Sequence, residues 1–260
     1  MVDGLQVKKI LALIPVRLKS KRLKEKALLK IGNIPMFVHV YNRTKFSKLV
    51  TDVFVCCDSK KIINEGKKYN VNCIKTKKKH ENGTERILEA YLKIKKNYHL
   101  VIDIQGDEPL IEPSHIDYII KFHFKNPDAD IVLPTLKIKR SKNENIVKCV
   151  KDINKKILYL SRAEIPYEYK KKNNFLYKHL SIISFKPDAL KRFGKKKKTS
   201  IEKIEGIELV RALEIGLKIK SPNLKGDSFS VDVMKDYRLA KKKIKNDKLF
   251  KIYEKKILIN

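Results

Sequence analysis

One basic loop contains residue types suited to handling a polyphosphate. Arg17, Arg22 and Lys26 follow the first apolar run of the chain within ten residues, and Ser20 lies between them. Fixed cations of this kind neutralise the negative charge that develops during phosphoryl transfer. A solvated lysine-rich loop would have a similar composition, so the loop alone leaves both interpretations open.

Two aspartates lie where a metal ion could bind. Asp107 follows an apolar run and a glycine, and Asp232 lies between two valines. Mg²⁺ prefers one or two carboxylates, with phosphate oxygens and water completing its shell. A carboxylate within an apolar strand also needs a cationic partner. We therefore predict that Asp107 and Asp232 hold Mg²⁺. Helix capping by Asp107 and an Arg or Lys partner for Asp232 are the alternatives.

A polar turn, residues 80–86, leads into a predicted helix, and its small side chains and backbone NH groups could contact the edge of a base. A capping-box turn at Thr84 is the simpler alternative. The chain has no Walker loop, Gly-x-Gly-x-x-Gly, Gly-x-Ser-x-Gly or His-Glu-x-x-His pattern. The sequence therefore contains no motif that indicates a dinucleotide oxidoreductase, a P-loop kinase, a serine hydrolase or a zinc protease.

Each of these segments follows a predicted strand, which is where open α/β sheets bind ligands. Short β-rich runs alternate with helical periods over the first half of the chain, which predicts βαβ units and a mostly parallel sheet. The predicted strands are 10–16, 52–57, 72–76 and 100–104, and the predicted helices begin at Pro35, follow Ser59, and cover 83–94 and 116–124.

The pattern changes after Pro127 and predicts an inserted antiparallel sheet. Its expected strands are 131–138, 147–151, 157–160 and 179–185, and a helix over 200–216 capped by Ser200, a strand over 228–233 and a basic helix over 235–255 complete the chain. We expect one globular domain over residues 1–260. Its nucleotide-binding core would be about 8–127 and 218–255, with a sugar-binding and dimerisation insertion at about 128–217.

The formal charge of +32 is the feature that most suggests a nucleic-acid partner. Only nine of the 61 basic residues are Arg, and the lysines are spread through every segment. Nucleic-acid readers depend on Arg and on aromatic side chains for stacking, so the charge indicates a compositional bias instead. No apolar run is long enough to span a membrane, and the four cysteines lack Cys-x-x-Cys spacing. We expect a cytoplasmic protein with buried thiols.

The sequence resembles the 3-deoxy-manno-octulosonate (Kdo) cytidylyltransferases, which make CMP-Kdo for lipopolysaccharide. The matching segments keep the family order over nearly the whole chain, and two of them together are specific to this branch of sugar cytidylyltransferases. Those two are Gly83-Thr84-Glu85-Arg86 and Gln105-Gly106-Asp107-Glu108-Pro109; the others include 14–17, 35–40, 161–166, 179–180, 202–211 and 231–232.

The resemblance implies a Rossmann-like nucleotide-diphospho-sugar transferase fold with an inserted dimerisation sheet. It implies a homodimer that transfers CMP from CTP, with Mg²⁺, to the anomeric hydroxyl of Kdo. The implied catalytic residues are Arg17, Lys26, Asp107 and Asp232, the last two being the metal ligands. The implied CTP-binding residues are Pro15, Val16, Arg17, Ser20, Arg22, Lys26, Asn82, Gly83, Arg86 and Gln105. The implied sugar-binding residues are Arg22, Gln105, Arg162, His179, Glu205 and Glu208.

Several positions depart from the family pattern. Lys24, Glu25 and Ala27 replace Pro, Gly and Pro in the basic loop, and Glu81 replaces Gln beside the base-reading turn. On the sugar side, Ser181, Ile183 and Leu209 stand where Gly, Tyr and Gln are usual. An 8-amino-Kdo or nonulosonic acid acceptor is therefore one alternative. A non-catalytic basic polyanion-binding protein is the alternative from another class.

Overall fold

The computed structural model describes residues 8–20, 22–226 and 230–258. Thirteen strands are formed within these ranges: β1 (Ile10–Val16), β2 (Lys30–Ile31), β3 (Ile34–Pro35), β4 (Asp52–Cys57), β5 (Cys73–Lys75), β6 (Leu100–Ile104), β7 (Ile131–Val132), β8 (Thr135–Lys139), β9 (Lys148–Lys151), β10 (Ile157–Ser161), β11 (Phe175–His179), β12 (Ile182–Phe185) and β13 (Ile219–Lys220).

The helices are mostly short. Their bounds are α1 (Met36–Lys45), α2 (Lys60–Lys67), α3 (Gly83–Ile94), α4 (Pro113–Lys125), α5 (Pro187–Lys195), α6 (Ser200–Glu205), α7 (Glu208–Glu214), α8 (Met234–Ile244) and α9 (Lys248–Leu258), with one 3₁₀ turn at Lys26–Leu28.

Seven strands form the central sheet in the order β13-β7-β12-β6-β1-β4-β5. The neighbours β6, β1, β4 and β5 run parallel, and only β12 is antiparallel to both of its partners. The parallel strands end at a common edge, so the segments after β1 and β6 are brought together there. The predicted mostly parallel sheet is confirmed.

Both faces of this sheet are covered. Ile10, Ala12 and Ile14 of β1 belong to one apolar cluster, and Leu11 and Leu13 belong to the other. A strand buried on both faces has a nearly continuous apolar sequence, as β1 does. Four further strands form a separate antiparallel sheet in the order β10-β9-β11-β8, which confirms the expected second sheet.

The sequence predicted four elements at their observed bounds: β1, β4, β6 and α3. The strand predicted at 72–76 is observed as β5, and the helix predicted at 116–124 is the longer α4. Ser59 caps α2 by accepting a hydrogen bond from the Lys61 backbone NH, as expected.

Two predicted strands are wrong as single elements. The run 131–138 is divided between β7, in the central sheet, and β8, in the second sheet, with Pro134 at the break. The run 179–185 is divided in the same way between β11 and β12. An apolar run shows that a strand is buried but not which sheet it joins, so the pattern could not reveal these crossings.

Two predicted helices are wrong as single elements as well. The helix expected over 200–216 is interrupted at Gly206, whose φ of +62° ends α6, and the N-cap is Thr199 rather than Ser200. Glycine adopts this left-handed conformation without a steric penalty. The basic helix expected over 235–255 is divided into α8 and α9, with Asp247 accepting a hydrogen bond from the Phe250 NH.

The strand predicted over 228–233 is also not found in its described part. Residues 230–233 are irregular, and 228 and 229 lie outside the described residues. The Val231 NH donates a backbone hydrogen bond to the Asp107 carbonyl (2.9 Å), and Val233 is already the N-cap of α8. The alternation of apolar residues here comes from the packing of one loop against another.

A buried arginine joins the first helix to the C-terminal part of the chain. Arg43 of α1 is 0% exposed and donates to the Ile111 carbonyl (2.6 Å), to Glu112 (3.0 Å) and to Asp247 (2.7 Å). Breaking such a buried pair from one side costs several kcal/mol because a charge is left without a partner. No helix within the described ranges is both long enough and apolar enough to cross a membrane.

Two core histidines make the stability of the fold sensitive to acid. Burial lowers the pKa of His39 and of His123 to about 4. An unfolded histidine has a pKa near 6.5, so the unfolded state binds more protons between pH 4 and 6.5, and stability falls as the pH drops through this window. We expect each histidine to cost about 2 kcal/mol of unfolding free energy between pH 7 and pH 5.

Urea denaturation at pH 7, 6 and 5 measures this effect. The variant His123→Gln removes one titrating group and should flatten the pH dependence by about a third, whatever its own stability at pH 7, because burial also lowers the pKa of His39 and of His179 to about 4. Equal slopes for the variant and the parent chain would show that His123 does not cause the loss.

Candidate active site

A cavity of about 680 Å³ opens at the carboxyl edge of the parallel strands. Its walls come from the loop after β1, the turn before α3, the loop after β6 and two loops of the second sheet. The lining residues are Pro15, Val16, Arg17, Ser20, Arg22, Lys26, Ala27, His80, Glu81, Asn82, Gly83, Arg86, Gln105, Gly106, Asp107, Glu144, Asn145 and Arg162.

An ion cluster lies at one side of this cavity. The Lys26 ammonium contacts Asp107 Oδ2 at 2.6 Å and Asp232 Oδ1 at 3.2 Å, and Arg22 Nη2 contacts the same Asp232 oxygen at 2.8 Å. The side chains of Lys26, Asp107 and Asp232 are 17%, 26% and 31% exposed, so the cluster remains open to a ligand. The structure thus brings the two predicted metal ligands to one cation.

Backbone contacts position both carboxylates. A Cβ atom on Gly106 would lie 2.7 Å from Val16 Cγ2 and 3.1 Å from the Pro15 carbonyl, so only glycine lets the loop after β6 approach the end of β1 this closely. The hydrogen bond from the Val231 NH to the Asp107 carbonyl then brings Asp232 next to this loop.

The turn before α3 is held by a cap and by close packing. Asn82 is the N-cap of α3 and accepts from the Glu85 NH at 2.9 Å, so the capping residue is Asn82 rather than Thr84. A Cβ on Gly83 would lie 3.1 Å from Gln105 Nε2 and 3.3 Å from Pro15 Cγ. The absence of a side chain at Gly83 therefore lets the turn, β1 and the loop after β6 meet at one wall.

Arg86 lines the cavity, but its guanidinium is largely used within the protein. It is 4% exposed and donates to Thr76 Oγ1 (2.6 Å) and to the Lys77 carbonyl (3.1 Å). Its other terminal nitrogen lies 3.7 Å from Asp58, which accepts from the Leu18 NH at 3.0 Å. Arg86 therefore supports the start of the basic loop through Asp58.

On the opposite wall, Arg162 is fixed by three carbonyl groups. Its guanidinium donates to the carbonyls of Glu144 (2.7 Å), Glu205 (2.9 Å) and Gly206 (3.2 Å). Burial acts to raise the pKa of Glu205, but hydrogen bonds from the Arg162 NH, Ser161 and Tyr159 outweigh it and lower that pKa. Glu205 thus remains an anion whose oxygens are used to hold β10 and Arg162 in place.

Burial shifts the pKa of two other predicted sugar-binding residues, His179 and Glu208, toward their uncharged forms. Burial lowers the pKa of His179 to about 4, so the imidazole is neutral at pH 7, and its Nδ1 faces the Leu180 carbonyl at 3.2 Å. Burial raises the pKa of Glu208, whose carboxyl is near the Thr84 NH (3.5 Å). Neither group supplies positive charge to a ligand carboxylate.

The structure therefore brings together most of the predicted site. All ten residues predicted for CTP line the cavity, and so do Asp107 and Arg162. Asp232 is not a lining residue, but it forms ion pairs with Arg22 and Lys26, which are. The cavity lining also does not include His179, Glu205 or Glu208. Glu144 and Asn145 were not predicted as site residues, because the loop between β8 and β9 carries no motif that would indicate its contact with Arg162.

Two of the departures on the sugar side lie in the core. Ile183 is 3% exposed and Leu209 is 2% exposed, and both belong to the apolar cluster on one face of the central sheet. Their apolar side chains fit that cluster, so they do not by themselves indicate a changed ligand surface. Ser181, by contrast, lies beside the cavity, where its backbone carbonyl accepts a hydrogen bond from the Gln105 NH (3.3 Å).

A mostly parallel sheet, with a cationic loop and a carboxylate after adjacent strands and a second antiparallel sheet over the cavity, is the architecture of a sugar nucleotidyltransferase. The family model described as cytidylyltransferase matches residues 11–219.

Relatives of known name place the chain more narrowly. It is 38% identical to the 3-deoxy-manno-octulosonate cytidylyltransferase of Thermodesulfovibrio yellowstonii over 89% of this chain and 96% of the relative, and 40% identical to that of Fusobacterium nucleatum over 82% and 87%. A solved structure of CMP:2-keto-3-deoxy-manno-octonic acid synthetase complexed with CTP is 27% identical, with a TM-score of 0.85 over 92% of this chain and 99% of that chain. This chain belongs to the 3-deoxy-manno-octulosonate cytidylyltransferase family.

Proposed function

We propose that this chain transfers CMP from CTP to the anomeric hydroxyl of Kdo, giving CMP-Kdo for lipopolysaccharide synthesis. The observation that carries the proposal is the cluster in which Lys26 contacts both Asp107 and Asp232 inside a cavity lined by all ten residues predicted for CTP. Family membership supports the same reaction.

The nucleotide's phosphates would lie against the loop after β1. Arg17, Arg22 and Lys26 line this part of the cavity, where their charges would offset that of the triphosphate. The base and ribose would lie toward Pro15 and the turn at Gly83, where the backbone approaches most closely. The triphosphate would thereby be held with its α-phosphate toward the sugar.

The donor set at the ion cluster fits Mg²⁺. Within the described ranges no three His, Cys, Asp or Glu side chains form a group that could hold a metal ion, so the protein would supply only Asp107 and Asp232. Mg²⁺ commonly binds through two carboxylates, with phosphate oxygens and water filling its remaining positions. The Lys26 ammonium already lies between these carboxylates, so a cation is accommodated there. When bound, such an ion would polarise the phosphate oxygens.

The acidic sugar would lie between the loop after β6 and the second sheet. Arg162 offers a fixed guanidinium to its carboxylate, and neutral His179 can only exchange hydrogen bonds with hydroxyl groups. The oxygen of the anomeric hydroxyl forms a bond to the α-phosphorus as the bond from that phosphorus to pyrophosphate breaks, and the hydroxyl proton is released to solution. Positioning and charge neutralisation supply the catalysis, and no covalent enzyme intermediate is needed.

An assay of pyrophosphate release tests the reaction and the acceptor together. The purified chain is incubated with CTP, Mg²⁺ and, in turn, Kdo, 8-amino-Kdo and nonulosonic acids. We expect release with Kdo and little with the others. Release with a different acid would correct the acceptor, and silence with every acid would favour the polyanion-binding alternative, which salt-dependent binding to DNA and RNA would then test.

The metal assignment is tested by Asp107→Asn and Asp232→Asn. Each variant keeps the shape of the side chain but removes the charge, and we expect turnover to fall by about a thousandfold with thermal stability little changed. Asp117→Asn is the matched control, because Asp117 accepts from Ser47 and Lys48 far from the cavity and should keep normal turnover. Near-normal turnover in both test variants would remove the assignment.

We also infer a homodimer formed through the second sheet and α6. Large apolar side chains are exposed there, including Ile153 (97%), Leu158 (57%) and Ile204 (82%), and β10 is an edge strand. Exposed apolar groups next to an open strand edge favour burial against a second copy. The four free thiols fit the reducing cytoplasm, where we propose the dimer works.

Light scattering during size-exclusion chromatography measures the assembly. We expect the mass of two chains, and the mass of one chain for the double variant Leu158→Glu/Ile204→Glu. Leu92→Glu is the control, since Leu92 is 56% exposed on α3 outside this surface. A dimer that survives the double variant would mean that another surface forms the contact.

A further inference from the structure

Asp103 is a buried carboxyl group that none of the roles above uses. It lies in β6 with 0% exposure, and its partners on the two neighbouring strands are Leu13 and Ile183. No lysine, arginine or histidine of the described ranges forms an ion pair with it. Burial raises its pKa well above the usual range, and the nearby Glu208 carboxyl raises it further. A polar group in such surroundings is retained against a substantial cost.

The hydrogen bonds to Asp103 come from one side chain of the cavity wall. Gln105 Nε2 lies 3.1 Å from each of the two Asp103 carboxyl oxygens. The same amide packs against Gly83, and the Gln105 backbone NH donates to the Ser181 carbonyl. Gln105 therefore has its backbone and its side-chain nitrogen both fixed, at the boundary between the turn before α3 and the loop after β11.

We propose that Asp103 is a positioning residue for the acceptor sugar: it holds the Gln105 amide by its nitrogen, so that Oε1 faces the cavity as a fixed hydrogen-bond acceptor. An amide that is free to rotate would present its nitrogen and its oxygen in turn. A hydroxyl group can donate to the fixed oxygen, whereas the phosphates and the carboxylate of the substrates cannot. The ribose hydroxyls and the cytosine amino group of CTP could donate to the same oxygen, but the Gln105 backbone is fixed at the loop after β11, on the side where the acceptor sugar would lie. We therefore assign the partner to a hydroxyl of the sugar.

This inference rests on the proposed function, because it assigns Gln105 to the sugar of that reaction. The geometry explains why a carboxyl group is retained beside Leu13 and Ile183, where an apolar residue would pack at lower cost. A buried acceptor that orients a binding group contributes to affinity and specificity rather than to stability.

The test compares Asp103→Leu, Asp103→Asn and Gln105→Ala. Leucine keeps the branch at Cγ and removes the acceptor, so we expect the KM for the sugar to rise about tenfold, the worth of one hydrogen bond, while the KM for CTP stays within about twofold. Asparagine keeps one acceptor oxygen and should restore the sugar KM to within about threefold of the parent chain. Gln105→Ala should match Asp103→Leu, and the double variant should show no further rise.

A merely structural role would give a different result. Removal of the buried acid should keep or raise the melting temperature of Asp103→Leu, whereas a structural residue would lower it and leave the KM ratio unchanged. Asp52→Leu is the matched control, because Asp52 lies at the amino end of β4, away from the edge where the cavity opens, and accepts from Tyr98 (3.0 Å). An unchanged sugar KM in Asp103→Leu would overturn the proposal.

A second measurement does not depend on turnover. The side-chain NH₂ signals of Gln105 in a ¹⁵N-labelled chain should exchange slowly with solvent in the parent and rapidly in Asp103→Leu. If the parent turned over no acidic sugar, the proposed function would fail, yet these signals would still decide whether Asp103 fixes the amide. Equal exchange in both chains would overturn the positioning role.

Discussion

The contact of Lys26 with Asp107 and Asp232 is the interaction on which the site depends. It joins the loop after β1 and the loop after β6, whose strands are paired, to the segment before α8, whose described residues belong to no strand. Without the ammonium, two carboxylates would face each other with only Arg22 beside them. Like charges repel, so the basic loop is needed to keep the two carboxylates together.

The chain separates two kinds of electrostatic surroundings within one cavity. The side proposed for the nucleotide holds exposed or half-exposed cations, whose charges would offset that of a triphosphate. Close to the side toward the second sheet are three groups that do not line the cavity, Asp103, His179 and Glu208, and burial shifts the pKa of each toward its uncharged form. Neutral donors and acceptors distinguish hydroxyl patterns, whereas charged groups mainly supply attraction.

Periodicity predicted the central sheet well and the second half of the chain poorly, for a physical reason. Strands such as β1 are apolar on both faces and are bounded by polar turns, so the local sequence is enough to predict where they begin and end. The crossings at Pro134 and between β11 and β12 depend on which sheet offers a free edge, which is not a local property. Gly206 could have been read as a helix end, but an isolated glycine also occurs inside helices. No motif marks Asp103, because its proposed role depends on its contact with the side chain of Gln105, two residues later.

The separation between Lys26 and Asp232 along the chain, 206 positions, has a consequence for folding. The proposed nucleotide site closes only when the sheet, both loops and the segment before α8 have reached their final places, so a partly folded chain would not bind CTP fully. The nucleotide would therefore stabilise only the completed fold, and its binding energy would add to global rather than local stability. Protection against proteolysis should then spread over the whole molecule when CTP is present, including Arg43 and the helices it holds.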